Sequence, residues 1–269
     1  MTDGLKGLPK PGHLGPEYGA QFQDASVVAA YRHRPPYPAA VFDLLLDLIV
    51  DEPRAVLDVG TGTGELARGL APRVTRVDAL DPSPGMIAVA RTLPGGDHPN
   101  LTWIEGYAED APLRPPYALI VAGQSLHWME WSVVLPRFRE ILTPGGVLAI
   151  VGEREQPQPW DAPVLDVIRR SSTNLRYQSY DLIEELETRG LFRTLGRRET
   201  APLAYTRSVA GYVESFHARN GLSRDRMSPE AASAFDRDGT DLVAPYAQND
   251  RLALAVSGRI VWGIPAPLL

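Results

Sequence analysis

Residues 55–70, AVLDVGTGTGELARGL, set three alternating glycines between a short apolar run and a segment with helical spacing. The valine-rich 55–59 suits a strand buried on both faces, and 65–70 suits a helix. Gly60, Gly62 and Gly64 carry no Cβ and tolerate positive φ, so they permit a tight turn with a ligand lying directly on the backbone. A dinucleotide turn of the form G-x-G-x-x-G needs its third glycine where this chain has Glu65. The spacing therefore favours a cofactor without a pyrophosphate. Asp81 follows Gly60 by 21 residues, at the end of a second strand expected over 74–80. A carboxylate there can accept hydrogen bonds from both hydroxyls of a ribose. Capping the helix that opens at Pro82 is a second role for Asp81, compatible with the first. Asp78 is the competing acid, but it sits inside the strand.

Positioning these groups takes a sheet. Apolar runs at 101–106, 118–122 and 147–151 alternate with helical stripes at 37–49, 83–90 and 135–142. That order predicts an α/β chain with parallel strands, whose carboxyl ends open onto a ligand crevice. The run at 101–106 leads into Tyr107-Ala108-Glu109-Asp110, and that at 118–122 into Gly123-Gln124-Ser125-Leu126-His127-Trp128. His127 at that end is a candidate general base, with packing against Trp128 as its other reading.

The 269 residues are 44% hydrophobic and 22% charged, enough for one elaborated globular domain or two small ones. Absence of cysteine excludes disulfides, thiolate metal sites and a cysteine nucleophile. A net charge of −6 speaks against a nucleic-acid surface and for a small-molecule acceptor. No run is long enough to span a bilayer, and the glycine- and proline-rich 1–19 lacks the apolar stretch of a signal peptide. A mobile or draped N-terminus and a cytoplasmic location are expected. Oligomeric state is not legible.

The run Val56-Leu57-Asp58-Val59-Gly60-Thr61-Gly62-Thr63-Gly64 resembles the first motif of class I S-adenosylmethionine (SAM) methyltransferases, and Asp81-Pro82-Ser83-Pro84-Gly85-Met86 resembles their second. Tyr31 to Pro38 is similar to the Y-x-x-x-R-P-x-Y-P stretch of bacterial relatives of trans-aconitate methyltransferase. Q-S-L-H-W at Gln124 and L-x-P-G-G-x-L at Leu142 fit the same group. The resemblance implies a Rossmann-like sheet of five parallel strands completed by a C-terminal pair, strand seven running antiparallel. It also implies SAM as methyl donor, S-adenosylhomocysteine as product and no required metal. Asp58, Gly60, Thr61, Gly62, Gly64, Asp81, Met86, Ala108, Glu109 and Gln124 would then bind cofactor. Arg34 would approach the methionine carboxylate, its alternative being a pair with a helix end.

Beyond residue 154, a helix is expected over 180–188, strand six within 192–205 and strand seven over 251–264. Helices at 209–217 and 229–246 form an insertion, about 208–247, similar to the helical lid of related bacterial enzymes. Tyr212, Phe216, His217 and Arg219 are its acceptor-pocket candidates, with core packing as the other reading for the first two. The chain thus divides into an N-terminal cap (1–50), a SAM-binding core (51–154) and a C-terminal part (155–269). The expected activity is methyl transfer to a small-molecule carboxylate or hydroxyl. Its rivals are a methyltransferase-fold protein that binds SAM without methylating and, less favoured, a nicotinamide-dependent oxidoreductase.

Overall fold

A computed structural model describes residues 10–266. The chain opens with short turns: Gly12–Leu14, Pro16–Gly19 (α1), Ala20–Gln23, Ala25–Ala30 (α2) and Tyr31–His33. Then come Ala39–Asp47 (α3), Ala55–Val59 (β1), Glu65–Leu70 (α4), Arg76–Asp81 (β2), Pro84–Thr92 (α5) and Leu101–Glu105 (β3). Tyr117–Gly123 (β4), Trp131–Ile141 (α6), Leu142–Glu155 (β5), Asp161–Ser171 (α7) and Leu182–Thr188 (α8) follow. The last elements are Phe192–Glu199 (β6), Leu203–Ser208 (β7), Val209–His217 (α9), Pro229–Val243 (α10) and Arg251–Pro265 (β8).

The sheet order is β3-β2-β1-β4-β5-β8-β6, with β7 also paired to β8. β1 to β5 are mutually parallel, and β8 runs antiparallel to β5, β6 and β7. This is the Rossmann-like methyltransferase arrangement with strand seven antiparallel. The described residues form eight strands, because 192–205 does not hold one strand. Its residues turn at 200–202, and two strands occupy successive lengths of the 15-residue β8.

Alternation along β1 explains why the strand is buried on both faces. Val56 faces α3 and α4 with Val41, Leu45, Leu66 and Leu70, whereas Leu57 and Val59 face α6 with Trp131 and Phe138. A third cluster joins α7, α9 and α10 through Trp160, Val213, Phe216 and Phe235. Helix α7 had no expectation, and it completes the insertion's core. Residues 1–9 of the N-terminal segment lie outside the described residues. From residue 10 onward the segment drapes as short helical turns, with His13 and Leu14 buried. It is fastened to the insertion: Asn220 donates to the Tyr18 carbonyl at 3.0 Å, Gly221 N to Gln21 Oε1 at 3.0 Å, and Arg226 pairs with Asp24 at 2.6 Å.

Candidate functional site

The carboxyl ends of β1 to β4 open into a cavity of about 510 Å³. Its floor is the turn after β1. Gly60 and Gly62 sit at φ +65° and +56°, where a side chain would be strained. A Cβ on Gly60 would lie 2.4 Å from the Ser125 Cβ, and one on Gly62 3.0 Å from the Tyr31 hydroxyl. The turn is fixed from below by Asp58, whose Oδ2 accepts from Thr61 Oγ1 at 2.6 Å and from Ala67 N at 3.1 Å. Burial pushes that carboxyl up to about 7. Asp58 is 1% exposed and holds the turn, while Gly64 caps α4 beneath Trp103, away from the cavity lining.

Asp81 lines the cavity from the end of β2. Its Oδ2 accepts from Gly62 N at 2.7 Å and its Oδ1 from Ser83 N at 2.9 Å. Each oxygen keeps a further lone pair for a ligand hydroxyl. Burial lifts this carboxyl to about 6, against the two backbone bonds that favour its charge. Met86, Ala108, Glu109 and Gln124 line the same cavity. Glu109 Oε1 accepts from Glu130 N at 2.8 Å, and Arg137 donates to the Ala108 carbonyl at 2.8 Å, so both loops are held in place. Gln124 adopts φ +54°, turning the chain sharply off β4. Asp78 takes no part: it is fully buried, bonded to the Tyr117 hydroxyl at 2.6 Å and paired with Arg114.

A side lobe of about 230 Å³ reaches under the turn, lined by Asp58, Thr61, Arg34 and Glu153. Arg34 donates to Glu153 Oε1 at 2.7 Å, so its partner is the end of β5 and not a helix terminus. Burial opposes the guanidinium's charge, but Glu153 together with Tyr31 and Tyr37 outweighs it and raises its pKa.

A second cavity of about 430 Å³ adjoins the first and shares Phe22, Tyr31, Gln124 and Trp128 with it. His127 lines this second cavity, not the first. Burial first, then Lys10 and Arg34, push its pKa down to about 3, so it is neutral near pH 7 and a weak base. Arg219 reaches the same space and pairs with Glu155 at 2.5 Å. The other insertion candidates do not line it, which corrects their assignment as acceptor contacts. Tyr212 and Phe216 pack edge to face in the insertion's core, and His217 is fully buried, its nitrogens facing the Leu222 carbonyl and Asp236. Apolar spacing on α9 served packing within the insertion.

Several lining residues had no sequence expectation. Lys10, Gly19 and Phe22 come from the drape, and Lys10 donates to the carbonyls of His127 and Met129 at 3.2 and 3.1 Å. Glu153 and Glu155 stand at the end of β5, where the strand-end rule applied to β4 would have found them.

Residues 56–146 match the family described as Methyltransferase domain. An uncharacterized methyltransferase of Mycobacterium tuberculosis is 36% identical over 154 residues, 56% of this chain and 60% of the relative. A trans-aconitate 2-methyltransferase of a Mycobacterium species is 33% identical over 53% of this chain and 51% of its own length. The chain thus spans roughly half to three fifths of these relatives. A solved structure from Anaeromyxobacter dehalogenans, described as a candidate type II methyltransferase, superposes with a TM-score of 0.59 at 25% identity, covering 87% of this chain and 99% of that one.

Proposed function

We propose, from the premise that this chain carries a methyltransferase domain at residues 56–146, that it transfers a methyl group from SAM to a small-molecule acceptor. One observation carries the reading: Asp81, with spare lone pairs, stands in the cavity beside the bare backbone of Gly60 and Gly62. Those residues fit a nucleoside bearing a free ribose diol and no phosphate. Asp81 would hold the ribose, while Met86, Ala108 and Glu109 would border the base. The backbone of Gly60 and Gly62 would lie under the amino-acid tail, with Arg34 in reach of its carboxylate.

When bound, SAM supplies an activated methyl on a sulfonium. The chain's share is alignment and exclusion of water, which suits a site covered by its own N-terminal drape. The 430 Å³ cavity would take the acceptor, since it meets the donor cavity at Gln124 and Trp128. His127 would shape that junction. Labelled SAM incubated with the protein and candidate acceptors, followed by mass analysis, tests the reading. A product heavier by one methyl group, formed with S-adenosylhomocysteine, is expected. SAM binding without any such product across hydroxyl, carboxylate, amine and carbon acceptors would contradict it.

A further inference from the structure

The acceptor cavity has a composition that selects among acceptors, and this step rests on the reading above. Its charged lining consists of two arginines and two glutamates, already matched as Arg34 with Glu153 and Arg219 with Glu155. With His127 neutral near pH 7, no cation is left over for an entering carboxylate. A polycarboxylate would lose its hydration without a compensating charge. Aromatic rings make up much of the remaining wall: Phe22, Tyr31, Trp128, Tyr177 and Tyr180. Such a wall favours a flat apolar body.

Two buried polar atoms on this lining have no partner. One is the Trp128 indole nitrogen, a donor, and the other is Glu153 Oε2, an acceptor. The Glu153 side chain is 8% exposed, and its other oxygen is taken by Arg34. Buried polar groups are seldom left unsatisfied, so the pair implies a ligand group that both receives and donates a hydrogen bond. A hydroxyl does both; an ammonium only donates, and a carboxylate only accepts.

We propose that the acceptor is a ring-bearing hydroxyl compound of the phenol or enol type, its hydroxyl hydrogen bonded to Glu153 and its oxygen to Trp128. In the transfer, the hydroxyl oxygen forms the new bond to the methyl carbon with its own electron pair. The carbon–sulfur bond breaks with its pair left on sulfur, and the hydroxyl proton passes to Glu153 Oε2. Glu153 is then a catalytic residue, and the neutral Arg34–Glu153 pair becomes a protonated carboxyl beside a guanidinium until the proton leaves to solvent.

Calorimetry on the S-adenosylhomocysteine complex, with 7-hydroxycoumarin and trans-aconitate as probes, tests this without turnover. The coumarin should bind at least about tenfold tighter than trans-aconitate. Glu153→Gln should weaken the coumarin about tenfold or more, and Trp128→Phe by a few-fold, in each case more than it weakens S-adenosylhomocysteine. A melting temperature close to that of wild type reports that the variants fold. Stronger trans-aconitate binding, binding of neither probe, or a Glu153→Gln variant that keeps full coumarin affinity overturns the proposal. A Glu153→Gln variant that loses more affinity for S-adenosylhomocysteine than for the coumarin also overturns it, because Glu153 then serves the donor rather than the acceptor. Failure of the wild-type protein to bind S-adenosylhomocysteine at all would instead sink the methyltransferase reading.

Discussion

The donor cavity and the acceptor cavity adjoin, yet they are built differently. The donor floor comes from one contiguous β1-turn-α4-β2 stretch, in which Asp58 accepts from the Thr61 hydroxyl and the Ala67 amide of α4, and Asp81 from the Gly62 amide of the turn. The acceptor wall draws Phe22 from the drape, Glu153 from β5, Tyr180 from the loop before α8 and Arg219 from beyond α9. Local backbone geometry makes the first rigid and generic, and long-range side-chain pairing makes the second specific. Variants in the donor floor should therefore damage stability or donor affinity, and variants in the acceptor wall should leave both alone.

The largest effect is expected at Gly60. Alanine there adds a Cβ in a positive-φ position and against Ser125, which should cost about 3 kcal/mol of stability and abolish S-adenosylhomocysteine binding. Thermal melting and calorimetry measure the two losses. Next comes Asp81→Ala, which removes the acceptor of the ribose hydroxyls. Donor affinity should fall by about 2 to 3 kcal/mol, roughly 30- to 150-fold.

The raised Asp81 pKa, about 6, turns this contact into a pH dependence. Its charged form is the better acceptor, so S-adenosylhomocysteine affinity should be full at pH 8 and fall about tenfold by pH 5. In Asp81→Asn the affinity should be flat across that range. A wild-type affinity independent of pH would show that the carboxylate does not touch the ligand.

On the acceptor side, Arg219→Ala should leave donor affinity unchanged and alter the acceptor KM several-fold, because it unpairs Glu155 in the wall. A matching loss of donor affinity would erase the distinction between the two cavities. The smallest effect is expected at His127. With its pKa near 3 it takes up a proton poorly, so His127→Asn should keep turnover within about threefold from pH 6 to 9, well short of the hundredfold typical of a general base. A hundredfold loss would restore His127 as the base.

The same contrast governs what was legible in the sequence. β1, α4 and the positions of Gly60 and Asp81 follow from glycine spacing and apolar runs, because these elements and their contacts lie within one contiguous stretch of the chain. Strand-end logic located Gln124, yet His127, three positions on, turned into the neighbouring cavity. Asp78 shows the limit of residue type alone: a carboxylate three residues before Asp81 serves to hold the exposed Arg114 and the buried Tyr117 hydroxyl. On α9, Tyr212 and His217 have the residue types of a binding wall, but α7, unforeseen, supplies the core that claims Tyr212 through Trp160. The matching of Arg34 to Glu153, 119 residues away, has no local signature. Neither does the strap formed by residues 10–23, which depends on Asn220 and Arg226 from the far end of the chain.

The central claim, that the 510 Å³ cavity is a donor site for a phosphate-free nucleoside, is tested most directly by calorimetry of the wild-type protein with S-adenosylhomocysteine and with NAD. Saturable binding of S-adenosylhomocysteine, with no heat from NAD at the same concentrations, is the predicted result. Tighter binding of NAD, or no binding of S-adenosylhomocysteine, would contradict it.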